Sequence, residues 1–230
     1  MAISAEKRPL IIVGDSAFAE VAFEYFSHDS SYQPVAFAVE QAFLNRDTLL
    51  DLPVVALENL PELYDPAGHD VFVAITYGQL NRLRRRLLDK VKAMGYRPAS
   101  YVSSRAFVWR NVRLGEHCFI MENNVVQPFV TVGDNVVMWS GNHVGHHSTI
   151  GDNVFLSSHV VISGYCRIGA NSFLGVNATL ANNVVVAEDN WCGPGVTLMT
   201  DTSPGALYPA TGGEPSKVSA LRFFKVRATT

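Results

Sequence analysis

The sequence predicts a small α/β domain followed by a parallel β-helix. Two periodicities and one alternation carry that prediction. From Val102 to Leu198 every sixth residue is apolar, without a break. This period is neither the 3.6 of a helix nor the 2 of a lone strand, and it marks a β-helix of hexapeptide repeats. Gly115, Gly133, Gly151 and Gly169 follow every third member of the series, and Ala187 takes the next place. Eighteen residues therefore make one coil of three faces and three corners. Before Val102 the period is absent, and strand and helix signals alternate instead.

In the coils, the inward aliphatic is followed four residues later by a small or β-branched residue, as in Ala106, Cys118, Val136, Ser148, Cys166 and Ala178. One large and one small side chain per face fills a narrow prism. Asn124, Asn142 and Asn190 interrupt the second series, as a polar ladder or as residues at strained corners. The glycine after the aliphatic is expected to relieve a corner backbone that other residues resist.

In the first hundred residues, 7–14 (KRPLIIVG) reads as a buried parallel strand. Ser16 is placed to cap a helix over 17–26. Strands follow at 35–40, 52–56 and 70–75, with a short helix at 58–64. An amphipathic helix spans 79–94, its apolar stripe Leu80, Leu83, Leu87, Val91 and Met94, its other face Arg82, Arg85 and Arg86. The segment 97–101 feeds the β-helix. The expected division is 1–101 for the α/β domain, 102–200 for the β-helix and 201–230 for a C-terminal extension.

Composition narrows the function classes. A formal charge of -3 over 230 residues argues against nonspecific nucleic-acid binding. No apolar stretch reaches spanning length and no signal-peptide pattern opens the chain, so a cytoplasmic protein without membrane insertion is expected. Cys118, Cys166 and Cys192 all fall on inward positions and read as small buried hydrophobes.

Two stretches carry chemistry. Gly14-Asp15-Ser16 follows the first strand and opens the first helix, where a nucleotide phosphate or ribose docks in such sheets. A plain βα turn also needs a Gly and a cap, and Ala17 and Ala19 stand where further glycines would complete a fingerprint. Glu40, ending the second strand, is a weaker candidate for a base or ribose contact. The second stretch is SGNHVGHHSTIG, with His143, His146 and His147. Its readings are polar corner residues, a zinc site drawing also on His117 and His159, a general base, or an inter-chain contact. Stacked zinc ligands need histidines eighteen residues apart. Those places hold Pro128 and Gly164 for His146, so no metal site is expected.

On these residues the chain resembles the bacterial nucleotide-sugar acyltransferases, which include the acetyltransferases of bacillosamine, perosamine and sialic acid pathways. The resemblance covers the α/β domain with its Gly14 turn, the repeat domain, and Gly145-His146-His147-Ser148-Thr149-Ile150-Gly151. It implies a left-handed coil, a homotrimer with acetyl-CoA between two β-helices, and a nucleotide-activated amino sugar on the α/β domain. It places the catalytic base on His146. His147 stands where many relatives have an acidic residue, and Phe155 where some carry a second histidine at the thioester carbonyl. Gly164, Gly175, Val176, Gly193 and Gly195 match positions along the pantetheine chain, and Gly14, Asp15, Ser16 and Glu40 are the candidate sugar-nucleotide contacts. The implied activity is N-acetylation for surface glycan (lipopolysaccharide) synthesis. Alternatives are O-acetylation, a longer acyl chain, a zinc hydrolase on the same fold, or a non-catalytic assembly module. Imidazole, with an ordinary pKa of about 6.5, accepts a proton at neutral pH, and a Gly corner such as Gly164 offers a backbone N–H to the oxyanion.

Overall fold

The computed structural model describes residues 7–210. In the first part, β1 (Arg8–Val13), α1 (Ala17–His28), β2 (Tyr32–Val39), β3 (Thr48–Leu49), β4 (Leu52–Ala56), α2 (Leu60–Leu63), β5 (Asp70–Val73), α3 (Arg82–Ala93) and β6 (Arg97–Pro98) follow one another. They form one six-stranded sheet in the order β3-β4-β2-β1-β5-β6. Every pairing is parallel except β3 with β4, a short antiparallel edge the sequence reading did not contain. The apolar run of β1 is buried because helices cover both faces of the sheet.

The helix expected from residue 79 begins at Arg82. Gln79, Leu80 and Asn81 all have left-handed backbone, with φ of +54°, +48° and +65°. The tertiary contact that overrides helical propensity is visible at Asn81. Its buried amide donates to the main-chain oxygens of Asn171 and Ser172, at 3.1 and 3.3 Å.

From Tyr101–Val102 to Leu207–Tyr208 the chain winds as a left-handed parallel β-helix of two-residue strands. They stack into sheets of seven, six and five strands, every pair eighteen residues apart up to Leu198. The strand at Leu207–Tyr208 adds a further rung beside Trp191–Cys192. Residues 211–230 of the expected extension lie outside the described residues. The sixfold aliphatics fill the prism with the three cysteines, which are free and buried. Val102, at the open end, is 38 % exposed.

The corners differ from expectation. Left-handed φ falls not on the glycines after the aliphatics but two residues further on: His117, Asn123, Phe129, Asn135, His147, Asn153, His159, Tyr165, Asn171, Asn177, Asn183 and Asp189. Asn, Asp and Gly tolerate this region best. The glycine after the aliphatic answers a different need. A Cβ on Gly115 would lie 2.6 Å from the Gly133 backbone, and one on Gly151 2.9 Å from the Ala170 nitrogen. Successive coils pass too close there for any side chain. Asn124 and Asn142 are neither a ladder nor left-handed. They point inward, and each amide donates to a corner carbonyl such as Trp139 O.

The α/β domain covers one face of the prism. Tyr101, Phe119, Val137, Phe155 and Phe173 point outward from the seven-stranded sheet and are buried against the domain, with Phe18, Phe26 and Phe72 among their partners. Phe18 meets Phe119 edge-on at 5.5 Å. Tyr25 donates to Glu122 and Tyr101 to Asp29, each at 2.6 Å, which ties α1 to the corner beyond that face.

Candidate active site

Two features stand apart. The first is a cleft of about 370 Å³ lined by Gly14, Asp15, Ser16, Glu40, Phe43, Ile75, Gln79 and Arg86, among others. It opens at the carboxyl ends of β1 and β5, the strands between which the chain order reverses. Open α/β sheets bind ligands at that switch point. Gly14 is required by geometry: its φ is +120°, and a Cβ would stand 2.9 Å from Ala74 O. Ser16 precedes α1 with its hydroxyl uncommitted to a cap. Asp15 pairs with Arg46 at 3.5 Å. Glu40 is taken by Arg86, through two bonds of 2.7 and 2.8 Å, and these with Lys90 hold its carboxyl down at about 2. Its oxygens are thus already occupied by cations. Sequence reasoning missed Phe43 and Gln79 on this rim, because neither belongs to a motif.

The basic run on α3 divides by face. Arg82 pairs with Asp189, Arg85 with Asp89 and Arg86 with Glu40 on the surface. Arg84 was overlooked. It is fully buried, has no carboxylate partner among the described residues, and donates to Asn135 Oδ1, Asn135 O, Asn153 O, Ile75 O and Thr76 O, among others. Burial pushes its pKa down to about 9, still charged at neutral pH. His117, beside it, accepts the Val73 N–H at 2.8 Å and is stacked on Phe72. These residues splice the sheet to the prism.

The second feature lies at the prism edge opposite the covered face. His146 and His147 are both exposed there. Their Nδ1 atoms are 3.1 Å apart. The His146 N–H donates to Gln127 Oε1 at 3.0 Å, and the ring lies over Gly164, where a Cβ would approach its Nε2 to 3.0 Å. Gly164 therefore belongs to the same corner. Its own N–H is already committed to Asn182 Oδ1 at 2.9 Å, so it is not the free oxyanion donor that was expected. Gly175, Val176, Gly193 and Gly195 lie on a different corner, across the six-stranded face from His146. Phe155 is a correction. It is buried under the α/β domain, beside Tyr77 and Phe173, and faces no cofactor groove. An aromatic serves the docking face there, a role no repeat position encodes. His143 sits half-buried on the six-stranded face, and His159 lies over Gly141 at another corner. Among the described residues no three His, Cys, Asp or Glu side chains converge as metal ligands, and no helix is long and apolar enough to cross a membrane.

A family model described as bacterial transferase hexapeptide (six repeats) matches residues 111–146. None of the curated proteins matches the chain. Among solved structures, a variant of perosamine N-acetyltransferase from Caulobacter crescentus, in complex with CoA and GDP-perosamine, is 26% identical, with a TM-score of 0.80 over 88% of this chain and 93% of that one. The acetyltransferase domain of PglB from Neisseria gonorrhoeae in complex with acetyl coenzyme A superposes at 0.79, with 22% identity, over 91% of this chain and 100% of that one. WeeI from Acinetobacter baumannii matches at 0.56, with 19% identity, over 85% and 96%. Fold and likeness together define an enzyme of the acyltransferase class. Within it, this chain is similar to the nucleotide-sugar acetyltransferases of the hexapeptide superfamily.

Proposed function

We propose that the enzyme transfers the acetyl group of acetyl-CoA to the amino group of a nucleotide-linked deoxy-amino sugar, with His146 as general base. The observation that carries this reading is an exposed imidazole, laid over a glycine at a prism edge, on a fold shared with a perosamine N-acetyltransferase. His146 Nε2 takes the proton as the amine attacks the thioester carbonyl. The tetrahedral intermediate then collapses, the amide forms and the CoA thiolate leaves, taking up a proton. No protein nucleophile is needed.

The sugar nucleotide occupies the Gly14 cleft, with the Ser16 hydroxyl and the first amides of α1 toward its phosphates. That cleft adjoins the covered face, whereas His146 is on the edge opposite. This separation within one chain supports a site shared between copies, in a homotrimer. Exposed apolar side chains on the intervening face and edge support such an assembly: Phe107, Trp109, Phe129, Val161, Tyr165 and Met199. CoA lies between two prisms, past Gly164 on one side and the Gly175 to Gly195 corner on the other. The enzyme works in the cytoplasm, in synthesis of a bacterial surface glycan.

The test is a panel of UDP- and GDP-linked amino sugars with acetyl-CoA, following free thiol. One amino sugar should release thiol, and its hydroxy analogue should not. His146→Asn should lower kcat by about 10²–10⁴-fold with little change in the acetyl-CoA KM. Mixing His146→Asn chains with chains whose cleft is blocked should restore activity in mixed oligomers. Light scattering should give three times 25.2 kDa. A fully active monomer rules the shared site out.

A further inference from the structure

The edge that carries His146 is built unlike the other two. Its left-handed positions hold Phe129, His147, Tyr165 and Asn183, with φ of +65°, +59°, +61° and +65°. Elsewhere these places go mostly to Asn, Asp or Gly, and bulky aromatics are rare in such backbone. Here the aromatics form a stack. His147 lies 4.6 Å from Phe129 with 25° between planes, and 4.8 Å from Tyr165 at 14°. Phe129 and Tyr165 are 59% and 53% exposed, so packing within the chain does not account for their choice. Both faces of the His147 ring are clamped, which fixes its plane.

What the clamp aims is Nδ1, at 3.1 Å from Nδ1 of His146. Two imidazole nitrogens at that distance share one proton, so one ring donates and the other accepts. The geometry points to a histidine dyad in which His146 Nδ1–H donates to Nδ1 of a neutral His147, leaving the His146 Nε2 lone pair free. This rests on the reading of His146 as the base. The reverse bond would put the His146 proton on Nε2, where it blocks proton acceptance. His147 is thus a positioning residue.

Among the described residues, no carboxylate forms a hydrogen bond or ion pair with either ring. The coil below contributes Gln127, Pro128 and Phe129, none of which titrates. The coil above contributes Tyr165 and the inward-facing Cys166, whose thiol is pushed up by burial. A His–His pair differs from a His–carboxylate pair in one respect: its acceptor, once protonated, becomes a donor at both ring nitrogens. A proton on His147 turns its Nδ1 into a donor and forces the His146 proton to Nε2. The active form is therefore the doubly neutral pair.

The experiment is imidazole ¹⁵N spectroscopy of the full-length, substrate-free enzyme across pH, with His147→Asn and His147→Gly. Asn and Gly both accept left-handed backbone, but only Asn keeps an acceptor oxygen. Wild-type protein should show His146 protonated at Nδ1 and bare at Nε2, and His147 bare at Nδ1. His147→Asn should keep the His146 tautomer, with kcat within about threefold of wild type. His147→Gly should release His146 into a tautomer mixture and lower kcat about tenfold or more. An Nε2-protonated His146 in wild type, or an unchanged tautomer in His147→Gly, overturns the dyad. Failure of the base reading shows separately, as full activity of His146→Asn whatever the tautomers.

Discussion

Arg84 donates to Asn135 twice, from Nε to the side-chain oxygen and from Nη2 to the main-chain oxygen, both at 3.0 Å. Through this pair α3 is bonded to a corner of the prism that lies far along the chain. The guanidinium is the most heavily shared donor at the junction. It satisfies the carbonyls of Ile75 and Thr76, just past β5, and those of the buried Asn135 and Asn153. Arg84→Met should leave several of them unpaired and cost about 3 kcal/mol or more by urea unfolding. Arg84→Lys should recover only part, because an ammonium cannot reproduce the planar fork. Wild-type stability in Arg84→Met would mean that these bonds merely break even against apolar packing.

His117 makes the junction sensitive to acid. Its Nε2 accepts from Val73 and its Nδ1 faces Asn135 Oδ1 at 2.8 Å, so the folded protein holds it neutral. Burial pushes it from 6.5 down to about 3. A depressed folded pKa means that the unfolded chain binds the proton first. The contribution is whole above pH 6.5 and is lost as pH falls toward 3, by up to about 1.4 kcal/mol per pH unit. Asp29 and Glu40, both held near 2, add to the loss below the ordinary carboxylate range. Unfolding midpoints measured between pH 7 and pH 4 should fall steadily, and His117→Gln should flatten the upper part of that slope.

Gly164→Ala should separate His146 geometry from folding. The new methyl meets the His146 ring at 2.8–3.0 Å. A side chain on the surface can turn away, so the thermal midpoint should change little. The displaced imidazole should lower kcat about tenfold or more. Unaltered kcat at full occupancy would place the productive ring position elsewhere.

The nucleotide cleft calls for a different residue from the obvious one. Any side chain at Gly14 strikes Ala74 O and is strained at φ +120°, so its replacement tests stability and binding together. Ser16→Ala is the cleaner probe, because that hydroxyl makes no cap bond. It should leave the unfolding free energy within about 0.5 kcal/mol of wild type. The sugar-nucleotide KM should rise several-fold while the acetyl-CoA KM holds. An unchanged sugar-nucleotide KM would remove Ser16 from the site.

The strands and helices of the α/β domain were legible to within a few residues wherever local pattern decided them, as at Leu52–Ala56. The start of α3 was not, because Asn81 gives up a helical turn for two bonds to a distant coil. At the candidate site, His146 and His147 stood out in the sequence as a pair of imidazoles at a corner. Their mutual bond and the stacking of His147 did not, since Phe129 and Tyr165 join that stack only once coils are laid eighteen residues apart. Phe155 was misread for a related reason. Its sequence distance from His146 says nothing about which face of the prism the α/β domain covers.

The sequence by itself determined the β-helix, its coil length and the side chains that fill it. Each coil obeys the same local rule, an aliphatic every sixth residue, and stacking on its neighbour repeats that rule. Only the tertiary structure decided which face carries the α/β domain, and so that Arg84, His117 and Phe155 are buried while His146 stays open to solvent. That choice is made by aromatic packing and buried hydrogen bonds between residues far apart in the chain, whose partners no period in the sequence names. It also put the Gly14 cleft and His146 on opposite sides of one prism, which is why the proposed site needs a second copy of the chain.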